Sequence, residues 1–112
     1  MTVGEMVETL GLSVISAGNL EREVTGGYAS DLLSCVMARA RTGHLWVTLQ
    51  AHPNVVAVAS LLDLAAVVVT EGVEPDEQTL DRAAAHGVTL LGTVETTFTV
   101  VGRLSALGVE GA

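Results

Sequence analysis

Polar side chains follow three predicted strands of this 112-residue chain, each at the point where an apolar run ends. They are Gln50, His52 and Asn54 after the first of these strands, Thr70 and Glu71 after the second, and Thr93 and Glu95 after the third. Amide, imidazole, carboxylate and hydroxyl groups supply the hydrogen bonds that orient a small ligand. Open α/β sheets bind ligands outside the carboxyl ends of their strands. These residues are therefore candidates for ligand binding, and helix capping is the alternative interpretation of the same groups.

A second candidate is the glycine pair Gly26-Gly27, which precedes a predicted helix that carries Ser30 in its first turn. Free N–H groups at such a turn and helix start could bind an anion. Against this, Ser30 can cap the helix, and Asp31 already places negative charge at that end. A tight turn followed by a capped helix is the favoured interpretation.

His52 could also pair with Glu71 or Glu95, either as an acid and a base or as metal ligands. The spacing of these residues matches no known ligand motif, and a histidine directly before a helix is commonly a cap. The sequence therefore assigns no catalytic residue, no metal and no cofactor.

Composition excludes several functional classes. Acidic residues outnumber basic residues 13 to 5, so the formal charge of −8 disfavours nucleic acid and anionic lipid as partners. All the basic residues are arginines, which rules out a Walker-type phosphate loop and a Schiff-base enzyme. Cys35 is alone, as in proteins of a reducing compartment. The apolar run 55–69 is too short to span a bilayer, and we expect a cytoplasmic protein.

Apolar periodicity predicts strands that alternate with helices. Helices are predicted at 3–10, 30–42, 53–62, 74–86 and 96–107, strands at 12–17, 20–24, 45–50, 65–70 and 88–92, and a frayed tail at 109–112. The first two strands are predicted to form a hairpin around Gly18-Asn19. The run 65–70 is apolar until its last residue, which is typical of parallel strands buried on both faces. The predicted fold is one α/β domain over residues 1–112, with three layers: a mostly parallel sheet and helices on both of its faces.

Self-association is a further expectation, because 49% of the residues are hydrophobic and only 16% are charged. The apolar residues of the helix after Pro53 and of the helix after Thr96 spread around more than one helical face. One face can contact the sheet while another contacts a partner, and a homodimer is the simplest closed assembly. Trp46 could be an interface anchor or could be covered by a helix of its own chain.

Several segments together resemble the DRTGG domain family over residues 12–107. Thr25-Gly26-Gly27 matches the end of the Asp-Arg-Thr-Gly-Gly signature, in which Glu23 and Val24 replace Asp and Arg. The neighbouring segments that carry the resemblance are Gly27-Tyr28-Ala29-Ser30-Asp31-Leu32-Leu33-Ser34, Trp46-Val47-Thr48-Leu49-Gln50, His52-Pro53-Asn54, Val56-Ala57-Val58-Ala59-Ser60-Leu61 and Glu74-Pro75-Asp76-Glu77.

The resemblance implies an α/β fold similar to the amino-terminal domain of the HPr kinase family. DRTGG domains accompany CBS-domain pyrophosphatases and phosphotransacetylases and also occur alone. The family implies regulation or dimerisation and establishes no catalytic residue that could be assigned to this chain. The loss of Asp and Arg from the signature removes any role that depended on their charges.

The leading hypothesis is a non-catalytic regulatory or assembly module, homodimeric, that could respond to a small anionic or nucleotide-like ligand. One alternative is a small enzyme or enzyme accessory subunit that uses His52 with Glu71 or Glu95. Another is a partner-binding subunit of a metabolic complex.

Overall fold

The structure is a computed structural model that describes residues 1–111, which form five helices and five strands. In chain order the elements are α1 (Val3–Leu10), β1 (Ser13–Ser16), β2 (Gly26–Ala29), α2 (Leu33–Arg39), β3 (His44–Thr48), α3 (Pro53–Leu61), β4 (Ala66–Val69), α4 (Glu77–His86), β5 (Leu90–Gly92) and α5 (Thr97–Ala106). No helix among these residues is long and apolar enough to cross a membrane.

The strands form one sheet in the order β1-β5-β4-β3-β2. The four strands from β2 to β5 are parallel, and β1 pairs antiparallel with β5. A helix connects each parallel strand to the next, as parallel pairing requires. The predicted three-layer α/β fold with a mostly parallel sheet is confirmed.

Two apolar clusters lie on opposite faces of the sheet. α1 and α5 pack on one face, against side chains that include Leu45, Val47 and Val68. α2, α3 and α4 pack on the other face, against Trp46 and Val67. Every residue of β3 and β4 is buried because both faces of these strands are covered.

The predicted hairpin between residues 12–17 and 20–24 is wrong. β1 pairs with β5 instead, and residues 20–24 run beside the start of α1, where the N–H of Gly4 donates to the carbonyl of Leu20 at 2.7 Å and the N–H of Val24 donates to the carbonyl of Met1 at 2.9 Å. Thr2 forms an isolated bridge with Glu23. The apolar side chains of this segment pack against the α1 side of the core, so their burial does not depend on a hairpin.

The glycine pair is a strand and not a turn. Gly26 and Gly27 begin β2, and α2 starts at Leu33, so the prediction of a turn leading directly into a helix capped by Ser30 is wrong. A Cβ on Gly26 would lie 2.9 Å from Nε2 of His44. A Cβ on Gly27 would lie 3.3 Å from Cγ1 of Val109. These glycines permit close packing of β2 on both sides, and this packing is why glycine is needed here.

The segment 109–111 is held against the free edge of β2. The N–H of Gly27 donates to the carbonyl of Glu110 at 2.9 Å, and Gly27 forms a parallel bridge with Gly111. The prediction of fraying is therefore wrong for 109–111, because strand pairing holds them. Ala112 lies outside the described residues.

Trp46 lies under the helices of its own chain. Its side chain is 0% exposed, and its Nε1 donates to the carbonyl of Ser30 at 2.8 Å. Of the two interpretations of this residue, coverage by its own chain is the correct one. It is not an interface anchor in this structure.

His44, at the start of β3, is buried, and one of its ring nitrogens accepts a hydrogen bond from the backbone. Its Nδ1 accepts a hydrogen bond from the N–H of Arg41 at 3.1 Å, so that nitrogen carries no proton. Burial, and after it the positive charge of Arg41, lowers the pKa of His44 below its ordinary value of 6.5.

Replacing Gly18 with alanine should destabilise the fold more than the same change at Gly11. Both glycines have positive φ angles, 51° and 65°, so alanine at either position costs about 1–2 kcal/mol of strain. A Cβ at Gly18 would in addition collide with the Thr89 hydroxyl and lie 2.8 Å from the carbonyl of Gly87, whereas at Gly11 it meets no described atom within 4 Å. We expect Gly18→Ala to lose about 2–5 kcal/mol in urea unfolding. Equal losses in the two variants would contradict the contact.

The free energy of unfolding should decrease as the pH falls below about 6.5. The unfolded chain then binds a proton at His44 that the folded chain excludes, so the stabilisation is complete above this pH and is lost as the pH falls to the folded-state pKa. In His44→Gln this slope should be absent. The slope should be measured by urea unfolding between about pH 5 and about pH 7. The carboxylates Glu5, Asp63 and Asp76 have lowered pKa values, so their titration affects the free energy of unfolding only at more acidic pH. The same slope in both proteins would rule out His44 as its source.

Candidate functional site

The carboxyl ends of β2, β3, β4 and β5 lie along one edge of the sheet, as their parallel order requires. Four pairs of residues follow these ends: Ser30 and Asp31, Leu49 and Gln50, Thr70 and Glu71, and Thr93 and Val94. We call this row of loops the polar edge. The candidates predicted after β3, β4 and β5 therefore share one side of the molecule.

Asp31 connects the ends of β2 and β3. Its Oδ1 accepts hydrogen bonds from the hydroxyl of Thr48 at 2.8 Å and from the N–H of Leu49 at 2.9 Å. Gln50 is held nearby, because its N–H donates to the Thr48 hydroxyl at 3.1 Å and its Nε2 donates to the carbonyl of Asp31 at 3.4 Å. The sequence does not indicate this role, since its pattern predicts Asp31 in the first turn of a helix and not at the end of a neighbouring strand.

The side chain of Thr70 is buried and hydrogen-bonded inside the protein. Its side chain is 0% exposed, and its hydroxyl lies 2.7 Å from the hydroxyl of Thr97 and 3.4 Å from the carbonyl of Thr48. If Thr97 donates to Thr70, then Thr70 donates to the carbonyl, and both protons are used. The Thr70 hydroxyl therefore stabilises the polar edge from inside the protein. A ligand bound on the outer surface of the polar edge would not reach it.

The loops after β4 and β5 are tied to each other by backbone hydrogen bonds. The N–H of Glu71 donates to the carbonyl of Glu95 at 2.8 Å, and the N–H of Gly72 donates to the carbonyl of Thr93 at 2.9 Å. Glu71 and Gly72 both have positive φ angles, 61° and 72°. For Glu71 this conformation costs about 1–2 kcal/mol, which the two hydrogen bonds offset. The Glu71 side chain is left exposed at the edge.

Glu95 is paired with Arg103 of α5. The same guanidinium also donates to the carbonyl of Leu10 at 3.1 Å and to the carbonyl of Thr9 at 3.4 Å. Arg103 therefore links the loop after β5 to the end of α1. The carboxylate of Glu95 has a cationic partner, while Asp31 and Glu71 have none in the described part of the chain.

His52 caps α3, as the capping interpretation predicted. Its Nδ1 accepts a hydrogen bond from the N–H of Asn54 at 3.1 Å. Within residues 1–111, no hydrogen bond or ion pair joins His52 to Glu71 or Glu95.

Asp76, at the start of α4, is the charged neighbour of His52. Its Oδ1 accepts from the N–H of Thr79, and the Thr79 hydroxyl lies 2.8 Å from the same oxygen. These two hydrogen bonds, and to a smaller extent the charge of His52, lower the pKa of Asp76. The sequence marked Asp76 as a helix start but did not place it beside His52, because the two residues belong to different helices.

A cavity of about 370 Å³ opens beside the carboxyl end of β5. Its walls are mostly apolar, with one carboxylate and two hydroxyls: Ser13, Ile15, Gly72, Val73, Glu74, Pro75, Leu80, Gly92, Thr93 and Val94. Thr93 is the member of the predicted set that lines it. Ser13 and Ile15 were missed because β1 reaches this position through its antiparallel pairing with β5, which the hairpin prediction excluded.

The polar edge offers hydrogen-bond donors and acceptors in fixed positions. Gln50 and His52 lie at its exposed centre, and the loops on either side are held by hydrogen bonds. No group of three His, Cys, Asp or Glu side chains within the described chain is close enough to hold a metal ion. Gly26 and Gly27 are strand residues away from this edge, so neither the favoured tight turn nor the alternative anion-binding turn is formed there.

Comparisons with known proteins give the same architecture. A solved structure similar to this chain is the crystal structure of the CBS and DRTGG domains of the regulatory region of Clostridium perfringens pyrophosphatase, complexed with its activator, diadenosine tetraphosphate. The TM-score is 0.68 at 13% sequence identity, and the match covers 97% of this chain and 47% of that one. The chain thus spans about half the length of that structure, and the likeness shows the fold. No curated protein matches the chain.

The family is shown by the sequence. The model of the DRTGG domain family matches residues 5–107, which include all five strands and both helical layers. The chain therefore belongs to the DRTGG domain family.

Proposed function

We propose that the chain is a non-catalytic regulatory or assembly module that works as a homodimer and binds a small ligand at its polar edge. The observation that carries this proposal is that the polar groups of the edge are held by hydrogen bonds to the backbone or to each other. Asp31, Thr70 and His52 are all engaged in this way. Groups that are held in this way are better suited to binding a ligand at a rigid surface than to transferring protons. Family membership supports the same reading.

The ligand class that we propose is nucleotide-like. The similar pyrophosphatase region was solved with diadenosine tetraphosphate, and this suggests the class of compound to test. In this chain, Asp31 and Glu71 make the edge acidic and would repel a bare phosphate. Carboxylates accept hydrogen bonds from ribose hydroxyls, and side-chain amides both donate to base edges and accept from them. We therefore propose that the nucleoside part contacts Gln50 and His52, with the phosphates directed away from the acidic loops.

The dimer is supported by exposed apolar side chains. Phe98 is 90% exposed and Leu61 is 69% exposed, on opposite sides of the sheet. Large exposed apolar residues on a chain with few charges favour association. A partner-binding subunit of a larger complex remains the second candidate, because the same surfaces could contact a different protein. The enzyme alternative has less support, since the carboxylate of Glu95 is paired with Arg103.

A thermal-shift series should identify an adenosine-containing compound as the stabilising ligand. The probes are adenosine, AMP, ATP, diadenosine tetraphosphate, acetyl phosphate and Mg²⁺. Gln50→Ala and His52→Asn should remove the shift. Asparagine is chosen at position 52 because it keeps the helix cap, whereas alanine would cost about 1 kcal/mol of stability. Arg82→Ala, an exposed change on α4, is the matched control and should retain the shift. Unchanged shifts in both edge variants would exclude the polar edge as the site.

Light scattering at micromolar concentration should give a mass of about 23 kDa, which is twice the monomer mass of 11.5 kDa. The reason is burial of the exposed apolar surface between two identical copies. A mass of one monomer at this concentration would contradict the homodimer and favour a different protein as the partner.

A further inference from the structure

The carboxylate of Asp31 uses only one of its two oxygens inside the protein. Oδ1 accepts hydrogen bonds from the hydroxyl of Thr48 at 2.8 Å and from the N–H of Leu49 at 2.9 Å. Within residues 1–111, Oδ2 accepts no hydrogen bond and takes part in no ion pair. Asp31 is exposed, so Oδ2 is free to accept a hydrogen bond from a bound molecule.

The turn that carries Asp31 is fixed to the sheet. The N–H of Ser30 donates to the carbonyl of Val47 at 3.2 Å, and the carbonyl of Ser30 accepts from Nε1 of the fully buried Trp46 at 2.8 Å. The hydroxyl of Ser30 accepts from the N–H of Leu32 at 3.1 Å. Because the backbone and Oδ1 are both held, the carboxylate of Asp31 has its orientation before a ligand binds. This lowers the cost of ordering the site on binding.

Gln50 places a second acceptor beside Asp31. Its Nε2 donates to the carbonyl of Asp31 at 3.4 Å. Reversing the amide would set its oxygen against that carbonyl oxygen, and two oxygens without a proton between them repel each other. Oε1 is therefore turned away from the Asp31 carbonyl, and no group in the described chain donates to it. Because Gln50 is exposed, the two residues present two neighbouring acceptors to solvent.

Two exposed leucines flank these acceptors. Leu32 follows Asp31 in the chain and is 60% exposed. Leu49 precedes Gln50 and is 38% exposed, and its N–H bonds to Asp31. Apolar surface that carries a few fixed polar groups is the usual composition of a small-molecule site. The carbon atoms of a ligand can therefore contact the leucines while its polar groups face the two acceptors.

Two neighbouring acceptors select a ligand group that donates two hydrogen bonds. A carboxylate oxygen and an amide oxygen only accept, so they pair with hydroxyl or amino groups and not with a deprotonated phosphate. The negative charge of Asp31 also repels phosphate. The ribose of a nucleoside has neighbouring 2′ and 3′ hydroxyls, which are uncharged and can both donate. They are carried by a carbon ring that can contact the leucines.

We propose that the polar edge recognises the ribose of a nucleoside, with one hydroxyl donating to Oδ2 of Asp31 and the other to Oε1 of Gln50. This inference rests on the proposed nucleotide-like ligand and identifies the part of it that the edge selects. Asp31 is then a specificity-determining residue, because a ribonucleoside makes a hydrogen bond to it that one of the corresponding deoxynucleosides lacks.

Adenosine, 2′-deoxyadenosine and 3′-deoxyadenosine test the proposal on the unmodified chain. Each is titrated into the ¹⁵N-labelled protein, and the amide resonances of Leu49 and Gln50 should move. Loss of a hydrogen bond to a charged group weakens binding at least about tenfold, and loss of one to a neutral group weakens it about two- to tenfold. One deoxynucleoside should therefore have a Kd at least about tenfold above that of adenosine, and the other a Kd about two- to tenfold above it.

Asp31→Asn is the matched variant. Asparagine keeps the oxygen that accepts from Thr48 and Leu49 and replaces Oδ2 with an NH₂ group, so the thermal midpoint of the free protein should stay close to the wild-type value. Its preference for adenosine over the more weakly bound deoxynucleoside should fall to about threefold or less, because the two changes remove the same hydrogen bond. Asp81→Asn, the same change at an exposed position on α4, is the control and should keep the full preference.

The outcomes separate the two proposals. If adenosine moves no resonance, the proposed nucleotide-like ligand is wrong and this inference fails with it. If adenosine and both deoxynucleosides bind equally, or if Asp31→Asn keeps the full preference, recognition of ribose by Asp31 is wrong while the proposed ligand class stands. Tighter binding of AMP than of adenosine at the same resonances would also overturn this inference, since the edge would then recognise phosphate.

Discussion

Burial of β3 and β4 on both faces is the constraint on which the rest of the fold depends. Residues 43–48 and 64–70 are buried without interruption, so helices must cover both sides of the sheet centre. Strands covered on both faces are connected by crossover helices, and these crossovers make β2 to β5 parallel. Parallel order in turn brings their carboxyl ends to one edge. The position of the candidate site is therefore a consequence of how the core is buried.

Features set by nearby residues were predictable from the sequence. The apolar run around Val68 predicted a central parallel strand, and Asp76 and Gly87 begin and end α4 as their cap chemistry indicated. Features set by distant residues were not predictable. Gly26 and Gly27 read as a turn, because the atoms that crowd them belong to His44 and Val109. Likewise, the short apolar and β-branched run of β1 is compatible with either neighbour, and the sequence does not show that β5 is the partner.

The same distinction between features set by nearby residues and features set by distant residues applies to the candidate site. Its polar residues could be located after the strands because strand ends are local features. Whether each group is free or engaged depends on neighbours in other elements, as with the hydroxyl of Thr70 and the carboxylate of Glu95. The edge that results is rigid in its backbone and open at Gln50 and His52. Its stiffness comes from hydrogen bonds that reach across strand ends, and those bonds involve Asp31, which the sequence placed elsewhere.

Both ends of the described chain are anchored to the same short stretch. Thr2 pairs with Glu23, Met1 accepts from Val24, and Glu110 accepts from the N–H of Gly27. The backbone therefore returns close to its start, and residues 23–27 contact both ends of the described chain. A short peptide joining residues 1 and 111, with new ends opened in an exposed loop outside the polar edge, should therefore preserve the contacts of residues 23–27. This arrangement suits circular permutation.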